Sequence, residues 1–272
     1  MIHSLVQIVL EASRLMLTED FSISQKAGAS NIVTSSDIAV QEFLRQRLSE
    51  LLPGCGFICE EEDIHDTGHE YLWIIDPIDG TANYSRGIRE CAICVGLWHK
   101  KKMEMAAIYL PRTDELFTAC RGKGAFLQHP RSEQPAQQIH VSSRPFSDAI
   151  MCTALAVYHK EYTGVCSDII RGVFFECNDI RRFGSAASEL CYLALGHVEL
   201  YFEYLLSPWD FAAASLIVEE AGGVLSDLEG RPLDLTSPSG VLAANSQENL
   251  QRLVTIVRDS QQWELCSIEE PE

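Results

Sequence analysis

The chain has 272 residues and a formal net charge of −18, from 21 Lys and Arg against 39 Asp and Glu. With 46% hydrophobic and 22% charged residues it can fill a large core, which excludes a disordered chain and a small stapled scaffold. The acidic excess argues against direct binding to nucleic acid or to an anionic membrane surface, since both need clustered Lys and Arg.

The first segment, MIHSLVQIVLEASRLM, reads as an amphipathic helix with Ile2, Leu5, Val6, Val9 and Met16 on one face. Glu11 and Arg14 interrupt it where a signal peptide needs a continuous apolar core, and no apolar run approaches the roughly 18 residues that span a bilayer. A cytoplasmic protein is therefore expected. QKAGASNIVTSSD reads as a loop or hairpin. A second helix follows, with Ser35 or Ser36 as N-cap, a stripe of Val40, Leu44, Leu48, Leu51 and Leu52, and a stop at Pro53-Gly54. GFICEEE and YLWIIDP are short strands that end in carboxylates, and CAICVGLWH, MEMAAIYLP and ELFTACRG form an antiparallel meander.

Residues 130–147, rich in Pro, Gln and Ser, mark the expected boundary between an N-terminal lobe (1–140) and a C-terminal lobe (141–272). Beyond it, AIMCTALAV reads as a strand, TGVCSDIIRGVF as a helix and NDIRRF as a short strand leading to Gly184. SAASELCYLALG reads as a helix stopped at Gly196, and the segment from Val198 to Tyr204 as a strand. A last helix runs from Ser207-Pro208 to Gly222-Gly223. This mixture belongs to the α/β or α+β class. Of the ten cysteines, Cys91 and Cys94 (C-x-x-C) and Cys55 and Cys59 (C-x-x-x-C) have spacings that zinc sites use, but their apolar surroundings favour buried, reduced thiols. His65 and His69 fall in a polar stretch and are read as solvated.

Three places set carboxylates where one element gives way to the next: Glu60 with Glu61 and Glu62, Asp76 and Asp79 in DPIDGT, and Asp210 in PWD. Mg2+ takes oxygen ligands and is commonly held by a few carboxylates beside a phosphate substrate. Gly80-Thr81 adds a turn and a candidate helix start suited to phosphate oxygens. Asp210 also fits a plain capping role in the first turn of its helix.

WIIDPIDGTANY and WDFAAASLIVEEAGG resemble the two signatures of the inositol monophosphatase family of Mg2+-dependent, lithium-sensitive phosphatases. Lys26, VTSSD ending at Asp37, CEEE, GKGAF, IRRFGSAAS and YFEYLLSPWD follow in the family's order. The resemblance implies a single compact phosphatase fold, a layered α-β-α-β-α sandwich of the inositol monophosphatase and fructose-1,6-bisphosphatase type. Its first lobe would carry most metal ligands, its second Asp210 and the substrate pocket. Two or three Mg2+ are implied, with Glu60, Asp76 and the Ile78 carbonyl around the first ion and Asp76, Asp79 and Asp210 around the second.

By the same resemblance, Thr81, oriented by Asp37, would act with Glu60 on the attacking water. The N–H groups of Gly80 and Thr81 would hold phosphate, and Lys26 would add a loop contact. Glu203, Gly184, Ser185 and Ala186 would line a polyol pocket, which favours inositol monophosphate or a similar polyol or sugar phosphate. Family members also cleave fructose 1,6-bisphosphate, adenosine 3′,5′-bisphosphate, histidinol phosphate and NADP. Arg181 and Arg182 could meet a second phosphate or simply face solvent. A homodimer is implied. Cys59 stands where the family commonly has Gly, which puts a side chain, and an oxidisable one, beside the metal region. Aspartyl-nucleophile phosphatases need D-x-D, whereas the spacing here is D-x-x-D. Some bacterial relatives act in ribosomal RNA transcription; for so acidic a chain, such a role would have to run through a protein partner.

Overall fold

The computed structural model describes residues 1–17, 21–25, 32–61 and 64–266, with side chains through residue 260 except that of residue 25. The helices are α1 (Ile2–Met16), α2 (Ser35–Leu51), α3 (Thr81–Ser85), α4 (Thr163–Phe174), α5 (Ala186–Ala194), α6 (Pro208–Glu220) and α7 (Gln247–Cys266). The strands of the first half are β1 (Ile23–Gln25), β2 (Ile32–Thr34), β3 (Gly56–Cys59), β4 (Ile64–Asp66), β5 (Tyr71–Asp79), β6 (Ala92–His99), β7 (Lys102–Leu110), β8 (Glu115–Cys120), β9 (Ala125–Gln128) and β10 (Gln137–Ile139). Those of the second half are β11 (Ile150–Thr153), β12 (Asp179–Arg181), β13 (Leu200–Leu206), β14 (Val224–Ser226) and β15 (Ser239–Ala244).

Strand β5 shows how the layers arise. Every residue from Leu72 to Asp79 is buried, so the strand is covered on both faces. Side chains alternate: Trp73 and Ile75 pack with α1 and α2 through Leu5, Val9, Leu44 and Leu48, whereas Leu72 and Ile74 pack toward α5 and α6 through Leu190, Phe211 and Leu216. β5 lies inside an eight-stranded sheet ordered β10-β9-β8-β7-β6-β5-β3-β4. The second sheet, ordered β12-β11-β13-β15-β14, turns Tyr201 and Val241 toward α5 and α6, and Phe202 and Leu242 toward α4 and α7. The resulting order is α1/α2, large sheet, α5/α6, small sheet, α4/α7, an α-β-α-β-α sandwich. Truncating a fully buried Leu44 or Phe211 costs about 2–5 kcal/mol in such cores.

Several elements depart from the sequence reading. Helix α2 is capped by Thr34, one residue before the expected serines, in a capping box with Asp37. Strands β4 and β10 occupy stretches read as loop; both are short, polar edge segments without apolar alternation, and β10 pairs with β9 inside the expected boundary region. AIMCTALAV is a strand only to Thr153. His65 lies on β4 rather than in a loop, with its ring 5.9 Å from that of Trp209.

Cys91 and Cys94 enter clusters on opposite faces of the large sheet, so they cannot converge on one ion. All the cysteines with described side chains are free thiols. Burial pushes the thiols of Cys59 and Cys91 up to about 12, which keeps Cys59 protonated and removes the expectation of an easily oxidised group. Among the described residues, no helix is long and apolar enough to cross a membrane.

Candidate active site

In a regular strand Asp76 and Asp79, three residues apart, would point to opposite faces. They do not, because β5 bulges between them: Asp76 pairs with Cys94 and Asp79 with Ala92, which leaves one extra residue on β5. Pro77 lies in this interval and has no N–H to give to the ladder. Within the bulge the Ile78 N–H donates to Asp76 Oδ1 at 2.9 Å. Gly80 then turns the chain into α3 with φ of 81°, and a Cβ there would sit 3.0 Å from the Glu90 carbonyl oxygen and 3.1 Å from Ser185 Cβ.

Thr81 Oγ1 lies 3.0 Å from Asp37 Oδ1 and 2.9 Å from the Ile78 carbonyl oxygen, both acceptors for its single proton. The other Asp37 oxygen takes the Thr34 N–H at 2.8 Å, so the capping box of α2 also fixes the carboxylate that faces Thr81. Asp37 is fully buried.

Asp79 Oδ2 accepts from Ser185 Oγ at 2.5 Å and from the Ala187 N–H at 2.8 Å, both at the start of α5. Asp210 stands in the first turn of α6, after Pro208, and its Oδ2 accepts the Ser207 N–H at 2.8 Å. The capping role weighed for Asp210 is therefore real, yet its carboxylate also meets Asp76 and Asp79. Oxygens of these three carboxylates all lie within 4.8 Å of one another.

Burial and mutual repulsion act on this cluster in the same direction. Desolvation, then the charges of Glu60, Asp79, Asp210 and Asp37, hold Asp76 well above the usual carboxylate range. Desolvation, then Asp79 and Glu60, do the same to Asp210. Desolvation lifts Asp79 to about 6 against its hydrogen bonds from Ser185 and Ala187. A group of oxygen donors that raise one another in this way fits a hard divalent cation, which would replace the protons.

The three aspartates open onto a cavity of about 850 Å³ that Glu60, Ile78, Gly80 and Thr81 also line. Glu60 follows β3, where its N–H donates to the Ile75 carbonyl at 3.3 Å. Gln41 on α2 closes this turn by pairing with both the N–H and the carbonyl of Glu61. Gly184, Ser185, Ala186 and Glu203 line the same cavity.

The family model described as "Inositol monophosphatase family" matches residues 2–262. The chain belongs to the inositol monophosphatase family. It is 34% identical over 269 residues to a Vibrio cholerae protein named Nus factor SuhB, covering 95% of this chain and 97% of the relative. An inositol-1-monophosphatase of Rhizobium meliloti is 35% identical over 245 residues, covering 87% and 90%. The crystal structure of extragenic suppressor protein suhB from Bartonella henselae superposes with a TM-score of 0.83 at 31% identity, over 94% of this chain and 97% of that one.

Elsewhere along the cavity of this family member, Glu203 is buried on β13 and accepts from the Tyr201 hydroxyl at 2.7 Å; burial lifts it to about 7. Gly184 has φ of 82° and sits against the Asn83 side chain, which donates to the Phe183 carbonyl at 2.7 Å. Ser185 binds Asp79 directly, a role the sequence did not suggest. Glu189 was missed as well: it accepts the Phe183 and Gly184 N–H groups at 2.5 and 2.9 Å, and burial lifts it to about 8. Only the helical pattern of SAASELCYLALG hinted at it. Arg182 lines the cavity, while the exposed Arg181 pairs with Asp179. Lys26 and Glu62 lie outside the described residues.

Proposed function

We propose that this chain is a Mg2+-dependent phosphomonoesterase that hydrolyses inositol monophosphate or a similar small polyol or sugar phosphate by direct, in-line attack of water. The observation that carries this reading is the convergence of Asp76, Asp79 and Asp210 on one cavity beside the Thr81–Asp37 pair. Two or three Mg2+, held by Glu60, Asp76, the Ile78 carbonyl, Asp79 and Asp210, would supply charge neutralisation and Lewis-acid polarisation of the phosphate.

The protein's own groups divide the remaining work. Thr81 Oγ1 accepts a hydrogen bond from the attacking water and, as the new P–O bond forms, takes that water's proton while passing its own to Asp37 Oδ1. Glu60 accepts a hydrogen bond from the water's other O–H, and the leaving alkoxide is protonated from solvent. The N–H groups of Gly80 and Thr81 hold phosphate oxygens. Glu203, fixed by Tyr201, accepts from a substrate hydroxyl, and Gly184, Ser185 and Ala186 shape the wall beside it. The D-x-x-D spacing and the burial of both aspartates favour water over an aspartyl nucleophile. We further propose a cytoplasmic homodimer of two-lobed subunits, residues 1–140 and 141–272.

The test is phosphate release with Mg2+ from a panel of inositol phosphates, sugar bisphosphates, adenosine 3′,5′-bisphosphate, histidinol phosphate and NADP. Release led by an inositol or polyol monophosphate, and inhibited by lithium, supports the reading. Preference for another member of the panel keeps the phosphatase and changes its substrate. Silence across the panel, or a trapped phosphoryl group on Asp76, overturns it. The Nus-factor name of the Vibrio relative favours a second reading, a regulatory protein acting through protein partners. That reading leaves the carboxylate cluster without a use, and silence across the panel would favour it.

A further inference from the structure

Strands β11 and β13 run parallel with Thr153 beside Phe202, so the chain leaving β11 emerges at the end of the small sheet that carries Glu203 and leads into Asp210. Ligands of open α/β sheets bind at such carboxyl ends of parallel strands. The segment that emerges here, residues 154–159, is neither strand nor helix, and Ala154, Ala156, Val157 and Tyr158 all line the cavity.

Its base is fixed. Ala156 has φ of 45°, a left-handed conformation that is unfavourable for a residue with a Cβ and persists only where packing enforces it. That packing is present: Ala156 is 3% exposed in the cluster that joins α4 and α7 to the small sheet, and its carbonyl takes the His159 N–H at 2.8 Å. Two residues on, Tyr158 is 59% exposed, and its hydroxyl has no partner among the described residues. The surrounding protein, then the charges of Glu60, Asp210, Asp76 and Asp79, push that hydroxyl above its ordinary value, so the phenol lies within the field of the carboxylate cluster. A large aromatic ring is thus presented from a rigid turn into the cavity that the carboxylate cluster and Glu203 also line.

We infer that Tyr158 is a substrate-specificity residue whose ring covers the C–H face of a cyclic polyol or sugar while its phosphate lies at the carboxylate cluster. The inference rests on the proposed function and narrows its substrate class to ring-shaped phosphomonoesters over open-chain ones. A cyclic polyol has hydroxyls for Glu203 and a C–H face that gains from apolar cover, and aromatic rings supply that cover at low entropic cost. A short open-chain phosphate such as glycerol phosphate has no such face.

The experiment compares the parent chain with Tyr158→Ala and Tyr158→Phe, which are expected to fold normally because the side chain is exposed. Binding of non-hydrolysable phosphonate analogues of inositol 1-phosphate and of glycerol 1-phosphate, with Mg2+, is read by calorimetry. Phosphate release from the two phosphates is measured separately. Tyr158→Ala should weaken the cyclic ligand about tenfold and the open-chain ligand by less than about twofold, with Tyr158→Phe close to the parent. The inference is overturned if Tyr158→Ala leaves the cyclic ligand unchanged, if both ligands weaken equally, if Tyr158→Phe loses as much as Tyr158→Ala, or if the parent binds neither phosphonate. A parent that binds the cyclic phosphonate in this Tyr158-dependent way but releases no phosphate refutes the phosphatase reading and leaves the ring contact standing.

Discussion

Ser185 donates its hydroxyl to Asp79 across 106 residues of sequence, at 2.5 Å, and so ties the bulged end of β5 to the first turn of α5. The bond places a carboxylate of the large sheet against the helix layer that separates the two sheets. It also counters burial, since hydrogen bonds from Ser185 and Ala187 favour the charged form of Asp79.

Ser185→Ala removes that bond and a helix N-cap together. Outer groups that orient a metal-binding carboxylate typically carry about 10–100-fold in metal affinity or activity. The expected result is a Mg2+ requirement raised by about that factor, with a stability loss of about 1 kcal/mol from the lost cap. Mg2+ titrations of phosphate release and thermal melts in EDTA measure the two effects. A variant with an unchanged Mg2+ midpoint would show that Ser185 serves only the helix.

Thr81 makes the opposite kind of prediction, in which chemistry suffers and metal binding does not. Thr81→Val keeps the shape and deletes the proton shared between Asp37 and the Ile78 carbonyl. Turnover should fall about 10²–10³-fold, with the Mg2+ midpoint within about twofold of the parent and Thr81→Ser restoring most activity. If Thr81→Val instead shifts the Mg2+ midpoint as far as it lowers turnover, the hydroxyl is organising the Ile78 carbonyl and not the water.

Glu220, at the end of α6, receives the N–H groups of Gly122, Lys123 and Gly124 at 2.7, 3.0 and 2.8 Å. Gly122 and Gly124 have φ of 72° and 84°, which lets successive N–H groups of this turn converge on one carboxylate. GKGAF is thus a clasp between the large sheet and the middle helix layer. Glu220→Ala should cost about 1–2 kcal/mol, seen as a melting point about 2–6 °C lower, and leave KM and turnover unchanged. A loss of activity without a loss of stability would count against a purely structural clasp.

Much of this architecture can be read from local pattern. The apolar stripes of α1 and α2, the meander and the Ser207-Pro208 start of α6 each follow from periodicity or capping within one segment. What stays hidden depends on partners distant in the chain or on a backbone irregularity. DPIDGT shows two aspartates but not the bulge that turns them to one side. Ser185 looks like an ordinary N-cap until Asp79, supplied by another layer, meets it. Strands β4 and β10 exist because a sheet edge offers them hydrogen bonds, and their polar residues carry no alternation. Tyr158 escapes notice because AIMCTALAV has the composition of a strand, while the left-handed turn at Ala156 is imposed by packing against the cluster of α4 and α7.

The crowded carboxylates give the metal-free protein a pH dependence of definite sign. Asp79 rises from 3.8 in the unfolded chain to about 6 in the fold, so its contribution to stability is fully present below pH 3.8 and is lost as pH climbs to about 6. Asp76 and Asp210 are raised further and continue the trend upward. Glu189, raised from 4.5 to about 8 by burial first and then by the charges of Glu203 and Asp79, adds a loss between those limits. In EDTA the melting temperature should therefore fall as pH rises from 5 to 8, more steeply in the parent than in Asp79→Asn over the lower part of that range, or in Glu189→Gln over all of it. Glu189→Gln keeps an acceptor for the Phe183 and Gly184 N–H groups, so it should be the more stable protein near pH 8. Added Mg2+ would take the place of the protons, so its stabilising effect should grow with pH in the parent and be smaller at every pH in Asp79→Asn. Melting curves with EDTA and with Mg2+ across this range decide the matter: parallel pH profiles for parent and variants would mean that the buried carboxylates are not under the strain their packing implies.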